Sequence, residues 1–168
     1  MTLDVSTDSQ RRRLRDVLGA FATGVTVVTA RRPEGGPVGL TVNSFTSVSL
    51  TPPLVLWCLS KESSVLEAFE QSSHFAVNVL SAQQEALARR FASPIADKFA
   101  GIDGLRSGAG EAVLLPDCIA YLECARRYTY DGGDHVILVG EVLAIDSTDE
   151  AALLFHRGQF ATLPDTRD

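Results

Sequence analysis

Lysine is scarce in this chain. Lys61 and Lys98 stand against 13 arginines in 168 residues, and acidic groups outnumber the basic ones, leaving a net charge of −6 and a pI near 5.0. No broad basic face can be assembled from such a composition, which excludes a nucleic-acid partner. The one dense basic run, Arg11-Arg12-Arg13-Leu14-Arg15, falls at the start of a helix and reads as a solvated face. Cysteine is limited to Cys58, Cys118 and Cys124, no two of them in a C-x-x-C pair, which excludes a zinc ribbon. His74, His135 and His156 are scattered without metal-ligand spacing, so no metal is expected. An odd number of thiols behind no recognisable signal peptide points to reduced cysteines and a cytoplasmic location. No apolar run approaches the roughly 18 residues of a membrane-spanning helix, and no membrane partner is expected. A G-x-G-x-x-G after a strand, a phosphate-binding G-x-x-x-x-G-K-[ST] and a G-x-S-x-G elbow are all missing, so a Rossmann site, a nucleotide hydrolase and a serine esterase are unsupported.

What is present is ordinary in bulk. An apolar fraction of 45% and a charged fraction of 21% suit one globular domain over residues 1–168, with a core over 14–160 and loose ends at 1–8 and 162–168. Leu14, Val17, Leu18 and Phe21 recur at i, i+3, i+4 and i+7 and predict an amphipathic helix ended by Thr23-Gly24. Val25 to Ala30 is β-branched and predicts a strand, turned through Pro33, Gly35 and Gly36 into a partner from Val38. Two capping boxes, at Ser64 to Glu67 and Ser81 to Gln84, predict helix starts, the second placing Leu87, Ala88 and Phe91 on one face. His74 to Leu80 predicts a strand. Ile102 to Pro116 is glycine-rich and reads as a surface wrap. Cys118 to Tyr130 and His135 to Ile145 are two long β runs around the hairpin turn Asp131-Gly132-Gly133-Asp134. The even spacing of Cys118 and Cys124 predicts a shared core face. Ala151 to Arg157 reads as a short helix or coil before a last strand at Phe160. Strands with short helices between them, without repeats or a long linker, predict a mainly β fold, a small antiparallel barrel with helical inserts.

The chemistry concentrates between Thr41 and Ser60. Thr46, Val48 and Leu50 would share the core face of a strand, and Phe45, Ser47 and Ser49 the other, offering hydroxyls and an aromatic ring to a flat, polar-edged ligand. Pro52-Pro53 ends that strand, and Leu54 to Leu59 reads as a strand buried on both sides. Hydroxyls and free N–H groups at Ser63 and Ser64, with Lys98 in a compact turn, are candidate anion seats. The hairpin would bring Asp134 and His135 to the barrel mouth. No nucleophile–base pair is evident, which suits chemistry carried by a cofactor.

Five segments, in order, resemble the flavin reductases of two-component flavin-dependent monooxygenases, which have the FMN-binding split-barrel fold. They are Phe21-Ala22-Thr23-Gly24-Val25-Thr26-Val27-Val28-Thr29, Val42-Asn43-Ser44-Phe45-Thr46-Ser47-Val48-Ser49-Leu50 with Pro52-Pro53-Leu54-Val55, Phe75-Ala76-Val77-Asn78-Val79-Leu80, Asp97-Lys98-Phe99-Ala100-Gly101, and Gly133-Asp134-His135 with Gly140-Glu141-Val142. The match runs from Leu14 to Phe160. The resemblance implies a Greek-key antiparallel split barrel, a homodimer with its flavin near the subunit interface, oxidation of NADH (or NADPH), and release of reduced FAD or FMN to a separate monooxygenase. It also implies that Thr23, Gly24, Val25, Asn43, Ser44 and Phe45 border the flavin, that Ser47 and Cys58, Leu59 and Ser60 continue that wall, and that Ser64 and Lys98 hold phosphate oxygens with Phe91 nearby. His135, beside Asp134, would meet the nicotinamide and is the one candidate catalytic residue. A split barrel that merely holds flavin or haem as a carrier or sensor is the alternative, and an oxidase of the pyridoxamine-phosphate type a third.

Overall fold

The computed structural model describes residues 5–163. Strand β2 (Thr26–Arg31) is continuous in Val and Thr because both of its faces are covered. Val25 and Val27 enter one buried cluster with Ala76, Phe91 and Leu115, while Val28 and Ala30 enter a second with Trp57, Phe69 and Phe75. Successive side chains of a strand point to opposite faces, so one strand serves two cores. Around it lie β3 (Pro37–Val42), β4 (Thr46–Leu50), β5 (Pro53–Ser60), β6 (His74–Val79), β9 (Ala120–Gly132) and β10 (His135–Ser147). They form a seven-stranded antiparallel sheet in the order β3-β2-β6-β9-β10-β5-β4, open because its outer strands β3 and β4 do not pair with each other. A second sheet, β1-β11-β12, joins β1 (Thr23–Gly24) to the hairpin of β11 (Leu153–His156) and β12 (Gln159–Thr162). Strands β7 (Arg106–Ser107) and β8 (Val113–Leu114) pair separately, and the helices are α1 (Asp8–Leu18), α2 (Leu66–Gln71) and α3 (Glu85–Ala92). The fold is thus mainly β with short helices, as expected.

Several local expectations are overturned. Helix α1 begins at Asp8, capped by the Thr7 hydroxyl, and Arg11 donates to the Val5 and Ser6 carbonyls, so residues 5–7 are tied to the helix. Residues 1–4 and 164–168, the outer parts of the expected loose ends, lie outside the described residues. The apolar stripe of α1 covers no core: Val17 and Leu18 are 65% and 63% exposed, and Phe21, beyond the Gly19 cap, 79%. On β4, Val48 and Leu50 are exposed instead of buried, because β4 is the edge of the sheet and its register slips between Ser47 and Ser49. Strand β5 alternates rather than being buried on both sides: Val55, Trp57 and Leu59 point inward, while Leu54, Leu56 and Cys58 are half-buried.

Ser64 caps nothing. Ser63 accepts from the Val65 N–H within a turn that begins at Ser60, and α2 starts only at Leu66. Of the second box only the return half forms, the Gln84 side chain accepting from the Ser81 N–H at 3.0 Å while its amide donates to the Pro116 carbonyl. The segment expected to wrap the surface ends inside the core, with Ala112 to Leu115 all buried. Asn78, fully buried on β6, holds it there: its side-chain carbonyl accepts from the Leu115 N–H at 2.8 Å and its amide donates to the Val27 carbonyl at 3.0 Å. Cys118 precedes β9 and belongs to the first cluster, whereas Cys124 belongs to the second, so the two share no face. Ala151 to Arg157 holds a strand, β11, because Leu153 exchanges main-chain bonds with Leu80 and Val25.

Trp57 anchors the second core, edge-on to Phe69 at 4.9 Å and to Phe75 at 5.9 Å between ring centres. Such pairs add about 1 kcal/mol each beyond their buried area. Phe75 also fixes how closely β10 passes. A Cβ at Gly140 would lie 2.4 Å from the Phe75 ring and 2.9 Å from the Cys124 Cβ, where β9 and β10 slip register. Gly140→Ala therefore forces the fully packed ring to move, and equilibrium unfolding in urea is expected to show a loss of about 2–3 kcal/mol; an unaltered midpoint would contradict that packing.

Candidate functional site

Strand pairing assembles the site. Strand β10 runs antiparallel to β5 with His135 opposite Ser60 and Ile137 opposite Cys58, so the hairpin tip and the hydroxyl end of β5 arrive together. The tip is a two-residue turn, Gly133-Asp134, with Gly133 at φ +83, a conformation glycine takes freely. Lys61 clamps it twice: its N–H donates to the Asp134 carbonyl at 2.9 Å, and its Nζ to Asp131 at 2.6 Å. Hydrogen bonding from Lys61 holds the Asp131 carboxyl below the ordinary carboxylate range, and the His135 contact does the same for Asp134. Asp134 is therefore an acceptor for His135 Nδ1 at 2.7 Å, which leaves Nε2 without a partner among the described residues.

Three hollows meet along β3 and the tip. A cleft of about 310 Å³ is walled by Leu40 to Ser44 on one side and by Cys58, Leu59, Ser60 and Ser63 on the other, with His135 at its end. Next to it, where Leu40 gives way to Gly39 and Ser63 to Ser64, a hollow of about 530 Å³ holds Ser64, Lys98 and Arg32. On the other side, sharing Asn43 and His135, a cleft of about 960 Å³ runs past Thr23, Phe21 and Phe155 to Arg15 and Arg157.

Most of the expected residues come together here, though not always by their side chains. Asn43 and His135 stand between the narrow and large clefts, Cys58 and Ser60 line the narrow one, and Ser64 and Lys98 line the hollow beside it. The Ser44 hydroxyl is already engaged, accepting from the Cys58 N–H at 2.9 Å and donating to its carbonyl at 3.3 Å, so it fastens the loop before β4 to β5. Ser60 and Ser63 accept from the N–H groups of Glu62 and Val65, which leaves both hydroxyl protons to give. The Leu59 side chain is in the core, and only its main chain can face the cleft. Thr23 lines the large cleft with its Oγ1 shut off from solvent and unpartnered, a donor awaiting an acceptor.

Other expected residues stand apart. Val25 is buried with both main-chain groups used by Leu153 and Leu80. Gly24 is exposed and paired with Leu154, Phe45 packs against the second core, and Ser47 is exposed on β4. Phe91 is fully buried, edge-on to Phe99 at 5.0 Å, and contributes its carbonyl, which accepts from Lys98 Nζ at 2.8 Å. Lys98 also reaches the Gly39 carbonyl at 3.4 Å. Two of its three donors are spent and the third is left for the hollow. Burial lowers its pKa from 10.5, so an anion that restores the cation's solvation would bind with advantage.

The residues not anticipated are Arg32, Arg15, Arg157 and the clamp Lys61. Only Arg157-Gly158 carried a signal. It is a two-residue hairpin turn with φ +49 and +79, positions where asparagine and glycine are at ease and arginine is not; the left-handed backbone costs a residue with a Cβ about 1 kcal/mol. Among the described residues no three His, Cys, Asp or Glu groups converge on a metal-sized gap, and no helix is long and apolar enough to cross a membrane.

Residues 18–164 match the family described as the flavin reductase like domain. This chain belongs to that family. Among curated proteins, the flavin reductase-like domain is 50% identical over 149 residues to the FMN reductase (NADH) SmoA of Agrobacterium fabrum, covering 89% of this chain and 84% of SmoA. It is 46% identical over 151 residues to a Rhizobium meliloti protein named "Probable flavin reductase", covering 90% of this chain but only 48% of that relative's length. Among solved structures, the NADH:FAD oxidoreductase SgcE6 of Streptomyces globisporus, in complex with NAD and FAD fragments, superposes with a TM-score of 0.89 at 41% identity, over 98% of this chain and 99% of that one. The residues of the domain fit a flavin nucleotide: spare hydroxyl protons along the narrow cleft, and a part-buried ammonium with one donor left in the hollow beside it.

The three cysteines are free, and burial pushes the thiols of Cys118 and Cys124 up to about 12. Only Cys58 is half-buried, beside the narrow cleft. A small aromatic disulfide reagent at neutral pH is expected to titrate one thiol in the native protein and three after denaturation, with added FMN slowing the native reaction and Cys58→Ser abolishing it. Rapid labelling of two or more native thiols would contradict this burial.

Proposed function

We propose that this chain is an NADH-dependent flavin reductase that passes hydride to FAD or FMN and supplies free reduced flavin to a separate flavin-dependent monooxygenase. One observation carries the reading: Leu40 beside Gly39 and Ser63 beside Ser64 make the narrow cleft and the Lys98 hollow neighbours, so one end suits a phosphate and the other ends at His135. NADH as donor follows the names of SmoA and SgcE6.

A bound flavin would supply the hydride-accepting ring, and the chain's own task is placement. Lys98, with Ser64 and Arg32, holds the phosphate. Ser60 and Ser63 give hydroxyl protons to the polar ring edge, where electron density rises on reduction. Ser44 and Asn43 shape the wall. Ring contact of about 3–3.5 Å between donor and acceptor is all the reaction demands, and no side-chain nucleophile is needed. His135, oriented by Asp134 and the Lys61 clamp, meets the nicotinamide at the seam between the narrow and large clefts.

A homodimer belongs to the same reading. Leu50, Ile145, Tyr128 and Tyr130 are 92%, 76%, 51% and 53% exposed on β4, β10 and β9, apolar surface that a second subunit would cover. A cytoplasmic setting agrees with three free thiols.

Purified protein mixed with NADH and FMN or FAD is expected to consume NADH catalytically, followed at the nicotinamide absorbance band. A coloured protein inert to NADH would support a carrier instead. Lys98 supplies a second test. Lys98→Ala is expected to weaken FMN about tenfold, near 1.4 kcal/mol, and to leave riboflavin, which lacks the phosphate, as it was. Because burial lowers the Lys98 pKa below that of an ordinary lysine, the cation is lost earlier on the alkaline side. The ratio of FMN to riboflavin affinity should therefore fall as pH rises, and should stay flat in Lys98→Ala. A ratio independent of pH in the wild type would remove Lys98 from the phosphate.

A further inference from the structure

The large cleft holds two arginines that the flavin site does not use. Arg15, in the last turn of α1, and Arg157, in the β11–β12 turn, both line it. Neither side chain has an ion pair or hydrogen bond among the described residues, although Arg11, Arg31, Arg89 and Arg127 each face a carboxylate. In a chain of net charge −6, two unpaired guanidinium groups in one cleft are a local reversal of sign. Asp16 lines the same cleft and offsets one of them, leaving the wall positive.

The two are mechanically joined. The Arg157 N–H donates to the Gly19 carbonyl at 2.8 Å, and Gly19 caps α1 through the Arg15 carbonyl, also at 2.8 Å. A Cβ at Gly19 would stand 3.1 Å from that carbonyl and 3.5 Å from the Arg157 Cα, so the hairpin turn sits directly on the helix end. Arg157 occupies left-handed backbone at φ +49 when glycine or asparagine would rest there unstrained. Strain held at a cleft-lining residue is a pointer to use of its side chain.

We propose that Arg15 and Arg157 form the seat for the diphosphate of the pyridine dinucleotide whose nicotinamide ring lies by His135. The inference rests on the flavin reductase reading. The planar guanidinium fork pairs two oxygens of a phosphate at once. A cleft of about 960 Å³ is far larger than a nicotinamide ring needs, and Phe21 and Phe155 are among its lining. The flavin phosphate is provided for by Lys98 across β3, so an anion in this cleft belongs to the second nucleotide.

The test compares two donors that share the reduced nicotinamide ring: NADH, and reduced nicotinamide riboside, which has no phosphate. Arg157→Gly suits the left-handed turn, and Arg15→Gln lies on an exposed helix, so both variants keep the fold. Arg157→Gly is expected to raise KM for NADH roughly tenfold, and the double variant further, with the effect confined to KM. KM for the riboside should move less than about twofold. Raising NaCl should increase the wild-type KM for NADH and barely affect the double variant. An unchanged KM for NADH, or an equal loss with both donors, overturns the proposal. So does a loss of FAD affinity at constant KM for NADH, which would assign the diphosphate to the flavin. A wild-type protein that oxidises neither donor would remove the functional reading itself, and this inference with it.

Discussion

The antiparallel register of β10 on β5 is the constraint on which the site depends. It sets Ile137 against Cys58 and His135 against Ser60, and so delivers the hairpin tip to the end of the hydroxyl wall. A slip of one residue would turn every side chain of β10 to the other face. The aromatic cluster of Trp57, Phe69 and Phe75 resists that slip from inside, because Val136 and Leu138 of β10 reach it, opposite Leu59 and Trp57, only in this register. The Lys61 clamp resists it from outside, at the tip. Core packing and site geometry are here one requirement met at two ends of the same strand pair.

The Lys98 end of the site is built from core in the same way. Lys98 is held by the Phe91 carbonyl, and Phe91 is locked edge-on against Phe99 beneath β3. Strand β3 can pass this close only at Gly39, where a Cβ would lie 2.9 Å from the Phe91 ring. Asn78 secures the opposite flank by tying Leu115 and Val113 to β2 and β6. The ammonium is therefore presented by rigid surroundings, whereas Ser64, exposed and capping no helix, is the looser member of the group.

Much of this was legible from residue order. The β-branched run at Val25 to Ala30, the glycine-rich hairpin at Gly132-Gly133, and the gathering of Asn43, Cys58, Ser60, Lys98 and His135 all follow from local pattern and family resemblance. What escaped were matters of burial at a distance. Val48 and Leu50 alternate as core residues do, yet the alternation cannot say whether anything packs on that face, and at the edge nothing described does. Ala112 to Leu115 looked like surface because the partner that internalises them, Asn78, is far away in sequence. Ser44 has the chemistry of a ligand contact, but its hydroxyl is consumed by the Cys58 backbone. Arg15 and Arg157 come to one cleft only through a hairpin whose first strand, β11, reads as helix or coil by pattern alone.

The depth of Cys118 and Cys124 has a bearing on how long such a protein survives. Under the proposed activity, reduced flavin let go into aerated solution would react with dioxygen and yield hydrogen peroxide, so the protein would work amid an oxidant of its own making. Peroxide attacks thiolate rather than thiol, and two sulfurs whose ionisation is pushed up to about 12 stay protonated throughout the physiological range. Their burial thus removes from the two cores the groups by which turnover could otherwise damage them.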